Sequence, residues 1–187
     1  MDVTEATFQD EVVERSRELP VVVDFWAAWC GPCHALAPVL EREVEARDGA
    51  VVLAKVDVDA NPGLAARFNV SGIPAVKGFR DGRVVAEFVG ARSPASVSAF
   101  LDELLAPPRT DVLLEELRQS GELPEVVAAL ERDDVGGALQ WIVDAVPAAA
   151  QEQRERLREI AVALFERLGQ EHPLAVTYRR RLATALY

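Results

Sequence analysis

Val21-Val22-Val23-Asp24-Phe25-Trp26-Ala27-Ala28-Trp29-Cys30-Gly31-Pro32-Cys33-His34 is the stretch whose reading decides the fold. An apolar, β-branched run reads as a buried strand, and Gly-Pro between two cysteines marks the turn where that strand hands over to a helix. These are the only two cysteines in the chain. A cysteine in the first turn of a helix faces unpaired backbone N–H groups and the positive end of the helix dipole, which favours thiolate over thiol. The spacing therefore points to dithiol chemistry, with Cys30 as the outer nucleophile and Cys33, one turn in and more buried, as the resolving thiol.

Working outward, runs at Val21 to Trp26, Val51 to Val56, Ala75 to Phe79 and Val84 to Phe88 alternate with helical patterns at Phe8 to Arg17, Cys33 to Arg47 and Pro94 to Leu105. This is an α/β order. Arg80-Asp81-Gly82 supplies a tight reversal, so the last two strands are expected antiparallel, while the earlier strands, separated by helices, are expected to pair in parallel. Pro107-Pro108 ends that pattern. Beyond it the chain reads as helix punctuated at Gly121, Gly136-Gly137, Pro147, Gly169 and Pro173, with room for about five helices. Leu139, Ile142, Val143 and Val146, then Leu157, Ile160, Ala161, Leu164, Phe165 and Leu168, form stripes that neighbouring helices must cover. A stack of repeats generally needs about three to bury its own core, and this segment holds about two. The expectation is that it leans on a partner, on the first domain, or keeps an open groove.

Composition narrows the function. Among 187 residues the net charge is −11, with ten Lys/Arg against seventeen Asp/Glu in residues 1–106 and ten against fourteen in 107–187. A nucleic-acid or anionic-membrane partner is disfavoured. Met1 to Ser16 has neither the basic start nor the apolar stretch of a signal peptide, which points to a cytoplasmic protein. In a reducing compartment a lone Cys-x-x-Cys reads as catalytic rather than as a staple, and two cysteines do not complete a four-ligand zinc site. Cys30 to His34 also satisfies the Cys-x-x-Cys-His attachment pattern of c-type haem. That reading lacks a convincing second axial ligand, since only His172 and Met1 remain.

Trp29-Cys30-Gly31-Pro32-Cys33, Asp24 in the preceding strand, Lys55 in Ala54-Lys55-Val56-Asp57, Ile73-Pro74, and Val89-Gly90-Ala91 together resemble a thioredoxin in order and spacing. The resemblance covers residues 1–105. In the tail, Leu164-Phe165-Glu166-Arg167-Leu168-Gly169, His172-Pro173-Leu174 and Tyr178-Arg179-Arg180-Arg181-Leu182-Ala183 resemble the end of the tetratricopeptide-like domain of bacterial chaperedoxins, in a shortened form. The implied architecture is a thioredoxin fold, a mixed sheet flanked by helices, over 1–106, followed by a small all-α domain over 107–187.

The resemblance implies a protein-disulfide reductase that works through the redox-active disulfide Cys30–Cys33, without a metal or other cofactor. Protein disulfides are its substrates and a thioredoxin reductase recharges it. Catalysis would rest on Cys30, Cys33, Asp24 and Lys55. Asp24, a carboxylate costly to bury in a covered sheet, would accept the proton of Cys33 through a water, moderated by Lys55; the plainer alternative is an aspartate facing solvent at a sheet edge. Pro74 is implied to be cis, so that Trp29, Gly31, Pro32, Ile73, Pro74, Val89, Gly90 and Ala91 bind substrate, with Trp26 packed behind the loop. The chain departs from the family pattern at Ala75-Val76-Lys77-Gly78, where large aliphatics are usual. A chaperedoxin-like alternative has the tail holding unfolded clients and passing them to a chaperonin, with redox activity secondary.

Overall fold

The structure, a computed structural model, describes residues 1–186 and divides the chain into two compact units, Met1–Ala106 and Pro107–Tyr187. In the first unit the strands are β1 (Val21–Trp26), β2 (Val52–Asp57), β3 (Ala75–Arg80) and β4 (Arg83–Val89), in the spatial order β2-β1-β3-β4. The helices are α1 (Gly31–Glu45), α2 (Pro62–Arg67) and α3 (Pro94–Leu105), preceded by a π-helical turn at Gln9–Glu14 and a 3-10 turn at Arg15–Arg17.

Strand direction follows the length of each connection. β1 and β2 are parallel, as expected, because α1 is 15 residues long and spans roughly 22 Å at ~1.5 Å per residue, enough to carry the chain back along the sheet. β3, by contrast, runs antiparallel to β1, which corrects the expectation that the earlier strands all pair in parallel. Its connection contains only the six-residue α2, roughly 9 Å, too short to return the chain to the far end of the sheet. The β3–β4 hairpin turns through Asp81 (φ 53°) and Gly82 (φ 77°), the left-handed pair that a two-residue hairpin loop requires.

Alternation along β1 splits the core in two. Val21, Val23 and Phe25 face Phe8, Val12, Ala54, Val56 and Phe79, while Val22 faces Leu36, Leu40, Val76, Phe100, Leu101 and Leu104 from α1 and α3. The unusual β3 sequence is accommodated on this second face. A β-carbon at Gly78 would lie 3.0 Å from Leu104 Cδ1 and 3.2 Å from the Phe100 ring, so the missing side chain is replaced by two large ones from α3. Lys77 pairs with Glu87 across the hairpin. Gly78→Val should overpack this contact and lower stability by roughly 1–3 kcal/mol in urea unfolding.

In the second unit α4 (Arg109–Ser120), α5 (Pro124–Glu131), α6 (Val135–Ala145), α7 (Gln151–Leu168) and α8 (Pro173–Leu186) pack with a 3-10 turn at Val146–Ala148. Leu117, Val126, Leu139, Ile142, Val146, Leu157, Ile160, Leu164 and Leu182 form one continuous buried cluster. The unit thus builds a continuous buried core from about two repeats, while keeping an open cleft at Leu123, Ala150 and Val162, one of the arrangements expected of it. The core is continuous because α6, buried along Val135, Ala138, Leu139, Ile142 and Val143, sits as a central helix instead of an end repeat. Its start is fixed by Asp134, whose Oδ1 accepts the Gly137 N–H at 2.8 Å. Arg179, Arg180 and Arg181 lie on the solvated face of α8.

Candidate active site

β1 leaves the sheet at Trp26, and the Ala27 carbonyl accepts the Cys30 N–H at 3.1 Å. Cys30 then takes an extended conformation (φ −86°, ψ 97°) as the N-cap of α1. Its Sγ accepts the Cys33 N–H at 3.2 Å, and its carbonyl accepts the N–H groups of Cys33 and His34 at 3.1 and 3.3 Å. Pro32, in the first turn, has no N–H to leave unsatisfied. The Cys33 amide is thus shared between the Cys30 carbonyl and the Cys30 sulfur, and in the reduced protein such a donor favours a thiolate at that position.

Cys30 and Cys33 are joined as a disulfide with their Cα atoms 5.3 Å apart. Cys30 is 3 % exposed against 1 % for Cys33, so the outer sulfur is less open than its position in the sequence implies. Ala27, Trp26, Val58 and Ile73 pack around the pair and account for this cover.

The apolar rim is the exposed part. Trp29 is 69 % and Val89 58 % exposed, and nothing lies within 4 Å of where a β-carbon would stand on Gly31 or Gly90. The Ile73–Pro74 bond is cis, as the resemblance implies. The Pro74 carbonyl accepts the Gly90 N–H at 2.8 Å, Gly90 adopts φ +88°, and Val89 pairs in register with Ala75. Ile73, Pro74, Val89, Gly90 and Ala91 are thereby gathered at one end of β3 and β4, with Ile73 reaching the cysteines. Trp26 packs behind the loop.

Two participants were not legible beforehand. Asp59 Oδ2 accepts the Trp29 indole N–H at 2.7 Å and is itself held by a turn in which Asp57 Oδ1 accepts the Asp59 N–H at 2.9 Å. Asp57-Val58-Asp59-Ala60-Asn61 carries the signal of an Asx turn, but nothing in it says that the turn reaches Trp29. The second is Glu41 on α1, whose carboxylate pairs with Lys55.

Asp24 lies on an interior strand, not at an edge, and is 1 % exposed. Its Oδ1 has no hydrogen-bond partner among the described residues. Burial pushes its carboxyl up from 3.8 to about 6, offset by the Lys55 charge and reinforced by Glu41. Lys55 sits opposite Asp24 in the β1–β2 register.

His34 is exposed; its Nε2 lies 2.8 Å from the Ala28 carbonyl and its ring meets Trp26 edge-on at 6.2 Å. An imidazole held by a backbone carbonyl, next to two sulfurs bonded to each other, does not fit an axial haem ligand. No group of three or more His, Cys, Asp or Glu able to hold a metal ion occurs among the described residues.

Comparison with known proteins agrees with this geometry. A thioredoxin family model matches residues 1–103, and a tetratricopeptide repeat model matches residues 126–187. Thioredoxin C-2 of Corynebacterium nephridii is 44 % identical over 103 residues, 55 % of this chain and 94 % of that protein. Mitochondrial thioredoxin of Mus musculus is 48 % identical over 98 residues, 52 % of this chain and 58 % of that protein. Thioredoxin 1 of Synechococcus elongatus is 42 % identical over 103 residues, 55 % of this chain and 94 % of that protein. A buried disulfide at a helix start, a cis proline beside it and a match running through the whole first unit lead to one conclusion: the chain belongs to the thioredoxin family, with a tetratricopeptide-type helical segment after the thioredoxin domain.

Proposed function

We propose that residues 1–106 form a protein-disulfide reductase domain and residues 107–187 a helical domain that binds its clients or partners. The observation that carries the first part is the Cys33 amide aimed at Cys30 Sγ at the start of α1. In the reduced protein the Cys30 thiolate attacks one sulfur of a substrate disulfide, forming a mixed disulfide and releasing the other sulfur as a thiolate. Cys33 then gives its proton, through a water, to Asp24 and attacks Cys30 Sγ. The mixed disulfide breaks, the second substrate sulfur leaves, and the protein keeps the Cys30–Cys33 bond. Two electrons have passed from protein to substrate, and a thioredoxin reductase returns them.

The rim gives the substrate its seat. Trp29, Gly31, Pro32, Ile73, Pro74, Val89, Gly90 and Ala91 offer an apolar, sterically open strip next to the sulfurs, suited to an extended protein segment. Lys55 moderates the charge of Asp24. The redox group is the protein's own disulfide. The surplus of acidic residues argues against nucleic acid, and no helix among the described residues is long and apolar enough to cross a membrane. We place the activity in a bacterial cytoplasm, where a reductase could keep the dithiol charged. The test is reduction of insulin: the reduced protein should accelerate it well beyond free dithiothreitol, and parity with dithiothreitol overturns the reading.

A second reading, a chaperedoxin-like holdase that hands unfolded proteins to a chaperonin, is favoured by the tetratricopeptide match and by an open cleft of about 1050 Å³ in the helical unit. Its lining mixes apolar side chains, Leu123, Ala150, Leu157 and Val162, with a larger number of charged and polar ones, among them Arg109, Arg156 and Glu159. Removing residues 107–187 should then abolish suppression of aggregation of a heat-denatured client, followed by light scattering, while insulin reduction persists. Unchanged scattering would sink the holdase role.

A further inference from the structure

Asp24 and Lys55 are opposed in the β1–β2 register, yet Asp24 Oδ1 is left without a partner while the Lys55 ammonium ends on Glu41 of α1. A lysine beside a buried, unsatisfied carboxylate would ordinarily turn to it, since the Coulomb attraction grows as water is excluded. Here a third residue competes for it. The Lys55 side chain is 24 % exposed and that of Glu41 54 % exposed, so the pair lies at the outer end of the group and Asp24 at its inner end.

We propose that Glu41 is a positioning residue for the resolving step: by holding the Lys55 ammonium at the surface, it keeps Lys55 from neutralising Asp24. This rests on reading Asp24 as the acceptor of the Cys33 proton. A carboxylate paired with an ammonium would be a weaker base and would leave the thiol of Cys33 protonated longer. Burial of Asp24 and the negative charge of Glu41 act in the same direction, holding its carboxyl near 6, within reach of a thiol that must be deprotonated near neutrality.

The charged groups facing Asp24 are few. Lys55 comes from β2 and Glu41 from α1. The register partner on β3 is the uncharged Val76, and α3 presents Val97, Phe100, Leu101 and Leu104 to the same face. Cys33, the proton donor in the proposed resolving step, adds a titratable group on α1 only in the reduced state. Removing the Glu41 charge therefore acts on Asp24 in two ways: its own negative charge is lost, and the Lys55 ammonium is released toward Asp24, which the Lys55→Met background separates.

The test titrates the Asp24 carboxyl by carbon-13 NMR in the oxidised full chain, with Glu41→Gln, Lys55→Met and the double variant. Glu41→Gln should lower the Asp24 midpoint by roughly one pH unit. The acid limb of the rate of mixed-disulfide resolution should move by the same amount. In the Lys55→Met background the Glu41→Gln displacement should fall to less than half. An unmoved midpoint in Glu41→Gln overturns the inference, as does an equal displacement in both backgrounds, because Glu41 would then act without Lys55. Failure of the underlying reading looks different: Asp24→Asn would resolve the mixed disulfide at the parental rate while the Glu41→Gln titration still moved.

Discussion

Cys33→Ser should stop turnover after the first exchange and leave the protein covalently joined to its substrate through Cys30. Nothing else among the described residues can complete the reaction, since the chain holds only two cysteines and the rim contributes carbon, backbone amides and an indole. Intact-mass spectrometry after mixing with a disulfide substrate should show the sum of protein and one substrate half, reversible by dithiothreitol. Cys30→Ser should behave differently. It removes the sulfur that receives the Cys33 amide, and turnover of insulin should fall on the order of a thousandfold or more, with no adduct. If Cys33→Ser formed no adduct and Cys30→Ser did, the order of attack would be reversed. If both variants turned over normally, the disulfide would be structural and the whole enzymatic reading would fail.

The placement of the two sulfurs from which that order of attack is proposed was legible before the structure, because it depends on local geometry alone. A strand, two cysteines three apart and a proline in the first helical turn place one sulfur at the N-cap and one inside the helix, whatever surrounds them. The strands were similarly legible, since β-branched runs such as Val21–Val23 have few alternatives, and Asp81-Gly82 selects its own turn. What was hidden depends on contacts between elements. The direction of β3 is set by the length of α2, a six-residue helix in a stretch between Val56 and Ala75 where the pattern singles out no helix. Asp59 and Glu41 look like ordinary surface acids; only the fold brings the first to Trp29 and the second to Lys55. The continuity of the helical unit's core was hidden for a related reason. Counting repeats treats each helix pair as equal, whereas α6 buries Val135, Ala138, Leu139, Ile142 and Val143, five of its eleven residues.

Asp24→Asn should make the protein more stable at neutral pH while slowing its chemistry. The carboxyl of Asp24 titrates at about 6 in the folded chain against an ordinary value of 3.8, because burial penalises its charge. Between those two values the folded state holds more protons than the unfolded one, so stability falls as pH rises through the window and the loss is complete above it. The displacement corresponds to roughly 3 kcal/mol at ~1.36 kcal/mol per pH unit. Below pH ~3.8 the carboxyl is neutral in both states and contributes nothing to this difference. In urea unfolding of the oxidised protein, followed by Trp26 and Trp29 emission in a Trp141→Phe background, Asp24→Asn should therefore exceed the parent by roughly 3 kcal/mol at pH 7.5, and the gap should close as pH falls toward 4. Asp24→Ala supplies a second variant that leaves no polar group to satisfy. Equal stability of parent and both variants at pH 7.5 would show that the buried charge is compensated, and with it the case for Asp24 as a base of raised strength would go. A cost of that size, on an interior strand where Val would fit the run on either side, is what the proposed proton-accepting role of Asp24 would account for and packing would not.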